Sequence, residues 1–272
     1  MPLPEAASRR TLGAVPTEVV VALGGGLASF LSGLLGVGGG IVLTPFLLYA
    51  PALVGAAALP VKIVTGLTIV QAISGSVIGS FRHYRYGNVS FHLVRTMGPA
   101  GAAASLVGAL VSASAPDRLL VAIFAAFALI GAVALVLPER GPARPVDDLR
   151  VNVPLAVGLA IVIGFFGGMV GIAAIAFIIA AMIYVLRIPP RLAIGSSLGI
   201  GVFSAIAALI GKAATAQVEP LPALIVLGAA LVSSPIGAAV SRRTQPKVLI
   251  QLLAVVVFLS GIRMAWQAVT GA

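Results

Sequence analysis

SGLLGVGGG at Ser32–Gly40 and its echo GGMVGIAAI at Gly167–Ile175 decide the fold. Aligned, they set Gly33 on Gly168 and Gly36 on Gly171. The correspondence runs on down the chain. KIVTGLT (Lys62–Thr68) meets RLAIGSS (Arg191–Ser197), which places Gly66 on Gly195 and Thr68 on Ser197. LVGALVS (Leu106–Ser112) meets PIGAAVS (Pro235–Ser241), which places Gly108 on Gly237, and Gly131 matches Gly261 near the end of each half. The offset stays near 130 residues over about 115 residues. Matched order over such a length marks two copies of one unit rather than chance glycine content.

Outward from these glycines lie long apolar runs. The chain has 272 residues, of which 60% are hydrophobic and only 9% charged; its mean hydropathy is +1.16. A water-soluble domain carries about 25% charged residues, so lipid is the solvent this composition fits. Lipid demands that every backbone polar group be satisfied within the chain, by helices or by a closed barrel. The runs are about 17 to 24 residues long without polar alternation, which is the helical pattern. The expected fold is all-α: a polytopic membrane bundle of about 8–10 segments with broken helices. Segments are expected at Val19–Gly36, Ile41–Leu59, Ile63–Phe81, Val89–Ala113, Arg118–Leu137, Pro154–Gly171, Ile172–Leu186, Leu192–Gly211, Leu221–Val240 and Val248–Ala268. The second and seventh contain or adjoin Gly and Pro and are expected to be broken or re-entrant. Ser8-Arg9-Arg10 precedes the first segment, which is read as a retained helix rather than a cleaved signal.

The layout is a first membrane repeat over 19–137, a cytoplasmic linker over 138–153 and a second repeat over 154–268. Five segments per unit is an odd number, so the second copy enters the bilayer inverted, an architecture common to secondary transporters. Basic residues agree. The loops Arg82–Asn88, the central linker, Arg187–Arg191 and Arg242–Lys247 hold ten Lys and Arg against five opposite, Lys62 and Lys212 among those five. The first set is expected to face the cytoplasm of a multi-pass protein of the cell inner or plasma membrane. Net charge +10 reflects these loops, and nucleic acid is not an expected partner.

The residue types exclude much chemistry. There is no cysteine, and His83 and His92 lack carboxylate neighbours, so no metal or other cofactor is expected. No Ser/His/Asp set, HExxH or P-loop is present, and an enzyme has nothing to stand on. Glu18, Asp117 and Glu219 lie at helix ends and no acid falls inside a segment; classical proton coupling through an intramembrane carboxylate is therefore not expected.

The candidate binding residues follow from backbone chemistry. Gly36, Gly38, Gly39 and Gly40 crowd one short stretch, which is costly inside a helix. The chain is expected to break there and restart at Ile41, aiming free N–H groups and a positive dipole end at the gap. That is an anion site in outline, with the Thr44 hydroxyl one turn on. The pattern superficially matches a dinucleotide loop, but no strand precedes it and no acid follows at the required distance. On the third segment Lys62, Thr65, Gly66, Thr68 and Gln71 form a polar stripe, repeated by Arg191, Gly195, Ser196 and Ser197 on the eighth; Gly171 marks the second break. A polar stripe either lines the substrate path or makes interhelical hydrogen bonds of about 1 kcal/mol each. Lys62 and Arg191 either collect anions at opposite mouths or simply snorkel.

At these residues the chain resembles the TauE/SafE family of sulfite and organosulfonate exporters. The resemblance is carried by SGLLGVGGGIVLTPFLL (Ser32–Leu48), HYRYGNVSFHLVRTMGPAGAAASLVGALVS (His83–Ser112), AIGSSLGI (Ala193–Ile200) and PIGAAVSRRTQPKVLIQLLAVVVFLSGIRM (Pro235–Met264), and it spans about Val19 to Met264. It implies a secondary transporter exporting a small sulfur-containing oxoanion by alternating access, with no cofactor. The implied partners are the anion and membrane lipid; monomer and homodimer stay open. Uptake of the same or another anion, and a non-transporting membrane assembly subunit, are the alternatives. The family's glycine motif falls on Gly36, Gly38, Gly39 and Gly40. Its second copy departs from the pattern, since Gly171-Ile172-Ala173-Ala174-Ile175 puts Ala or Ile where glycines are expected; the second break is therefore expected to be less open.

Overall fold

A computed structural model describes residues 15–35, 39–136, 151–172, 174–241 and 246–270. These residues are almost wholly helical, with no strand among them. The helices are α1 (Thr17–Leu35), α2 (Gly40–Leu53), α3 (Val61–Arg85), α4 (Phe91–Ser112), α5 (Asp117–Val136), α6 (Val153–Val170), α7 (Ile175–Ala180, continued by a π-helical turn Ala181–Val185), α8 (Pro190–Ala214), α9 (Pro220–Ser241) and α10 (Pro246–Thr270). Six of them, α1, α3, α4, α6, α8 and α9, are long and apolar enough to cross a bilayer.

The expected segments all appear, with instructive differences at the ends. Helix starts obey local chemistry. Ser90 caps α4 by accepting from the Leu93 N–H, and Asn152 caps α6 by accepting from Leu155 N–H at 3.2 Å. Such caps contribute about 1 kcal/mol each. Glu18 and Asp117 fall in first turns, where the helix dipole favours a carboxylate. The second segment stops at Leu53 rather than Leu59, because Gly55 turns the chain at φ +70 and the Pro51 carbonyl accepts from Val54 and Ala56. The eighth runs three residues beyond the expected Gly211. At 1.5 Å per residue, α2 is about 21 Å long and α7 with its π turn about 16 Å, well short of a hydrocarbon core of about 30 Å. Segments two and seven are thus half-length elements.

Small residues govern how the helices meet. α1 lies along α9, α4 along α6 and α8, α5 along α10, and α3 packs on α8. A Cβ at Gly108 would collide with the Phe165 carbonyl oxygen, and one at Gly237 with that of Phe30. A Cβ at Gly66 would strike the Gln217 carbonyl, and one at Gly195 that of Asn88. Backbones approach this closely in membranes because van der Waals contact, rather than water exclusion, holds helices together there. The two half-length elements sit inside. Leu43 and Leu47 of α2 are buried with Val64, Leu67 and Val226, and Ile172 is buried with Phe124, Val170 and Met264. Tyr49 anchors α2 to α10 by donating its hydroxyl to Gln267 Oε1 at 3.0 Å, with the Arg263 guanidinium 4.2 Å above its ring.

Polarity is arranged for lipid. Leu23, Phe81, Ile130, Leu224, Val232 and Trp266 stand exposed, whereas Thr65, Thr68, Gln71, Ser76, Ser196, Ser197 and Lys212 are buried. An apolar coat of this extent would aggregate in water.

Candidate functional site

The two helix breaks meet at the centre of the bundle. Gly36 and Gly38 lie outside the described residues; Gly39 and Gly40 carry the first break. Gly39 is the N-cap of α2 and offers no side-chain cap. Its carbonyl accepts from Val42 and Leu43 N–H at 3.0 and 2.9 Å, which starts the helix and points the preceding N–H groups back out of it. The second break leaves α6 through Gly171 in the left-handed region, φ +74. It enters α7 through Ala174 at φ +47, also left-handed. A non-glycine residue held there costs about 1–3 kcal/mol. Its counterpart Gly39 is right-handed, φ −72, so the two breaks differ in backbone conformation as well as in residue type. A Cβ at Gly40 would come within 2.9 Å of Ile172 Cγ2, so the start of α2 abuts the second break directly.

α3 is the wall against which both breaks rest. A Cβ at Gly39 would run into the Gln71 amide and the Ala28 carbonyl, and one at Gly171 into the Thr65 carbonyl. Gln71 is 0% exposed, and neither its Nε2 nor its Oε1 has a hydrogen-bond partner. Leaving a buried polar group unmatched costs about 1–3 kcal/mol. The open amide of Gln71 and the start of α2, which has no side-chain cap, therefore lie side by side.

The remaining expected residues divide. Thr44 and Thr68 are buried, and each returns its hydroxyl proton to its own helix: Thr44 to Gly40 O at 3.0 Å, Thr68 to Thr65 O at 2.9 Å. Ser197 does the same to Ile194 O at 2.8 Å. Ser196 Oγ accepts from Ser90 N–H at 2.9 Å and pins the α3–α4 turn onto α8. Gly66 and Gly195 serve close packing, as above. Lys62 donates from its Nζ to Ala113 O at 2.6 Å, just past the C-terminal end of α4. Arg191 is exposed at the start of α8.

One buried residue at the site escaped the sequence reading. Lys212, counted there among loop cations, is 0% exposed inside the bundle. Its ammonium donates to Thr65 Oγ1 at 2.9 Å, Ser112 Oγ at 3.1 Å, Met169 O at 3.1 Å and Gln217 Oε1 at 3.0 Å. It escaped because a lysine just beyond an apolar run reads as a helix end that snorkels, whereas α8 continues past it to Ala214. The available signal was Thr215 and Gln217 nearby, two more polar residues in a chain that spends them sparingly. Among the described residues no group of three or more His, Cys, Asp and Glu stands together to hold a metal.

Apolar cavities of about 620 Å³ beside Ala132, Gln251 and Phe258, and of about 400 Å³ beside Phe81, Val94 and Phe203, involve none of the candidate residues.

The sequence profile of the family described as "Sulfite exporter TauE/SafE" matches residues 21–264. The "Probable membrane transporter protein YunE" of Bacillus subtilis is 22% identical over 270 residues, covering 92% of this chain and 98% of that protein. A "Probable membrane transporter protein" of Xylella fastidiosa is 30% identical over 203 residues, 71% of this chain and 73% of its own. No solved structure gives a significant match.

Proposed function

The chain belongs to the TauE/SafE family of membrane transporters, and on that premise we propose that it exports a small sulfur-containing oxoanion, sulfite or an organosulfonate such as sulfoacetate. The observation that carries the proposal is the open amide of Gln71 against the uncapped start of α2. Gln71 Nε2 and the first N–H groups of α2 would donate to the oxygens of the anion, where the helix dipole adds roughly half a positive charge. Thr44 and Thr68 supply hydroxyl oxygens close by in sequence, but their protons are already engaged, so the donors that discriminate an anion are the amide and the backbone.

The distribution of acidic residues is compatible with an anion. No carboxylate lies within any apolar segment, so no acidic side chain there repels an anion entering the bundle. Export follows from the membrane potential: an anion leaving a negative interior gains about 2.3 kcal/mol per charge per 100 mV. The energy source needs no acid in the chain.

Alternating access would come from motion between two inverted halves. The pairing of helices supports that reading. α1 lies on α9 as α6 lies on α4; Gly66 meets the backbone of Gln217 as Gly195 meets that of Asn88, and Gly108 that of Phe165 as Gly237 meets that of Phe30. Each pair exchanges into the other under the alignment of the two repeats.

Sulfite efflux from proteoliposomes tests the site. Gly39→Leu would push its side chain into Gln71 and Ala28 and block the N-terminus of α2. It should abolish efflux with the protein still inserted and monodisperse. Wild-type efflux from that variant would remove the α2 terminus from the substrate path.

A further inference from the structure

Lys212 is held in a way that a substrate-binding lysine would not be. An ammonium has three protons, and four oxygens already compete for them at 2.9–3.1 Å. None is left for an oxoanion. The shell is built of acceptors alone: two hydroxyls, one amide oxygen and one main-chain carbonyl. The amide is oriented for the purpose, since Gln217 Nε2 donates to Thr215 Oγ1 at 2.8 Å and Ala109 O at 3.3 Å and turns Oε1 inward. Ser112 Oγ also donates to Ala109 O at 2.6 Å, which leaves its lone pairs for Lys212. Thr65 likewise spends its proton on Lys62 O at 2.8 Å.

Among the described residues no carboxylate is paired with this charge. Its counter-charge is backbone. Met169 lies in the last turn of α6, Ser112 ends α4, and Lys212 itself is in the last turn of α8. Each helix C-terminus carries roughly half a negative charge, and three converge here. Helix C-terminal ends and unwound carbonyls beside a helix break are how transporters hold their coupling cations.

The geometry points to a monovalent-cation site, of a size suited to ammonium or potassium, that the chain fills with its own Lys212 ammonium. The site stands on its own contacts. Its meaning for transport rests on the anion export proposed above: with the cation tethered, the α4, α6 and α8 ends are neutralised without a co-transported ion, and flux does not require Na⁺ or K⁺ in the medium.

Lys212→Ala tests this by emptying the site. Purified wild type and variant are unfolded thermally in chloride salts of ammonium, potassium, sodium and choline at equal ionic strength. Ammonium and potassium should raise the midpoint of the variant over choline, while the wild type melts alike in all four. At a cation concentration ten times its Kd the folding equilibrium of the variant shifts about tenfold. A variant indifferent to the cation overturns the assignment. Should Lys212→Ala not fold in any of the salts, Lys212→Ala/Gln217→Glu decides, because the carboxylate strengthens a cation site; failure of that variant to fold or to respond in ammonium overturns it equally. Absence of anion flux from wild-type proteoliposomes would defeat the transport reading and leave the melting result standing.

Discussion

Gln71→Leu separates a ligand-seeking amide from a merely structural one. Leucine has nearly the volume of glutamine, so the fit beside Gly39 and Ala28 is kept. The substitution deletes two buried polar atoms that have no partner. At about 1–3 kcal/mol for each unmatched group, the empty protein should gain about 2 kcal/mol or more in stability. Transport should move the other way. A hydrogen bond to a charged group contributes about 1.5–3 kcal/mol, and each 1.4 kcal/mol is tenfold in affinity, so the apparent KM for the anion should rise about 10- to 150-fold. The pair of assays is thermal unfolding of purified protein and initial efflux rate against internal anion concentration. A variant that melts earlier and transports with an unchanged KM would refute the reasoning, since Gln71 would then hold the fold and not the ligand.

Gly171→Ala should cost about 2–5 kcal/mol, because left-handed backbone at φ +74 is strained for alanine and the added Cβ strikes the Thr65 carbonyl. Gly55→Ala is its control: φ is +70 but nothing lies within 4 Å, so only the strain of about 1–2 kcal/mol is expected, and both are read from unfolding midpoints. Lys62→Met should destabilise by about 1.5–3 kcal/mol through loss of the 2.6 Å bond to Ala113 O, with the KM for the anion unchanged in the same efflux assay. Arg191→Gln, at an exposed helix start, should stay within about 0.5 kcal/mol of the wild type and leave efflux unaltered.

The glycine spacing and apolar runs were enough to read the helices, the breaks and the half-length second and seventh elements. These properties are local: a run of glycines breaks a helix wherever it lies, and length against bilayer thickness needs no partner. Gln71 was legible as a polar residue on α3, but not as an amide without partners, since that depends on Gly39 and Ala28 folding back over it. Lys212 was not legible at all. Its partners Thr65, Ser112 and Met169 lie 147, 100 and 43 residues away along the chain, and its counter-charge is the ends of helices that hydropathy sees only as apolar. Ala174 shows the converse limit, a left-handed position that residue type alone did not announce.

Efflux of sulfite and sulfoacetate from wild-type proteoliposomes, with sulfate and thiosulfate alongside and a potassium diffusion potential set negative inside, tests anion export most directly. Saturable efflux of sulfite or sulfoacetate, accelerated by the potential, is expected. No efflux of any of the four anions would contradict it.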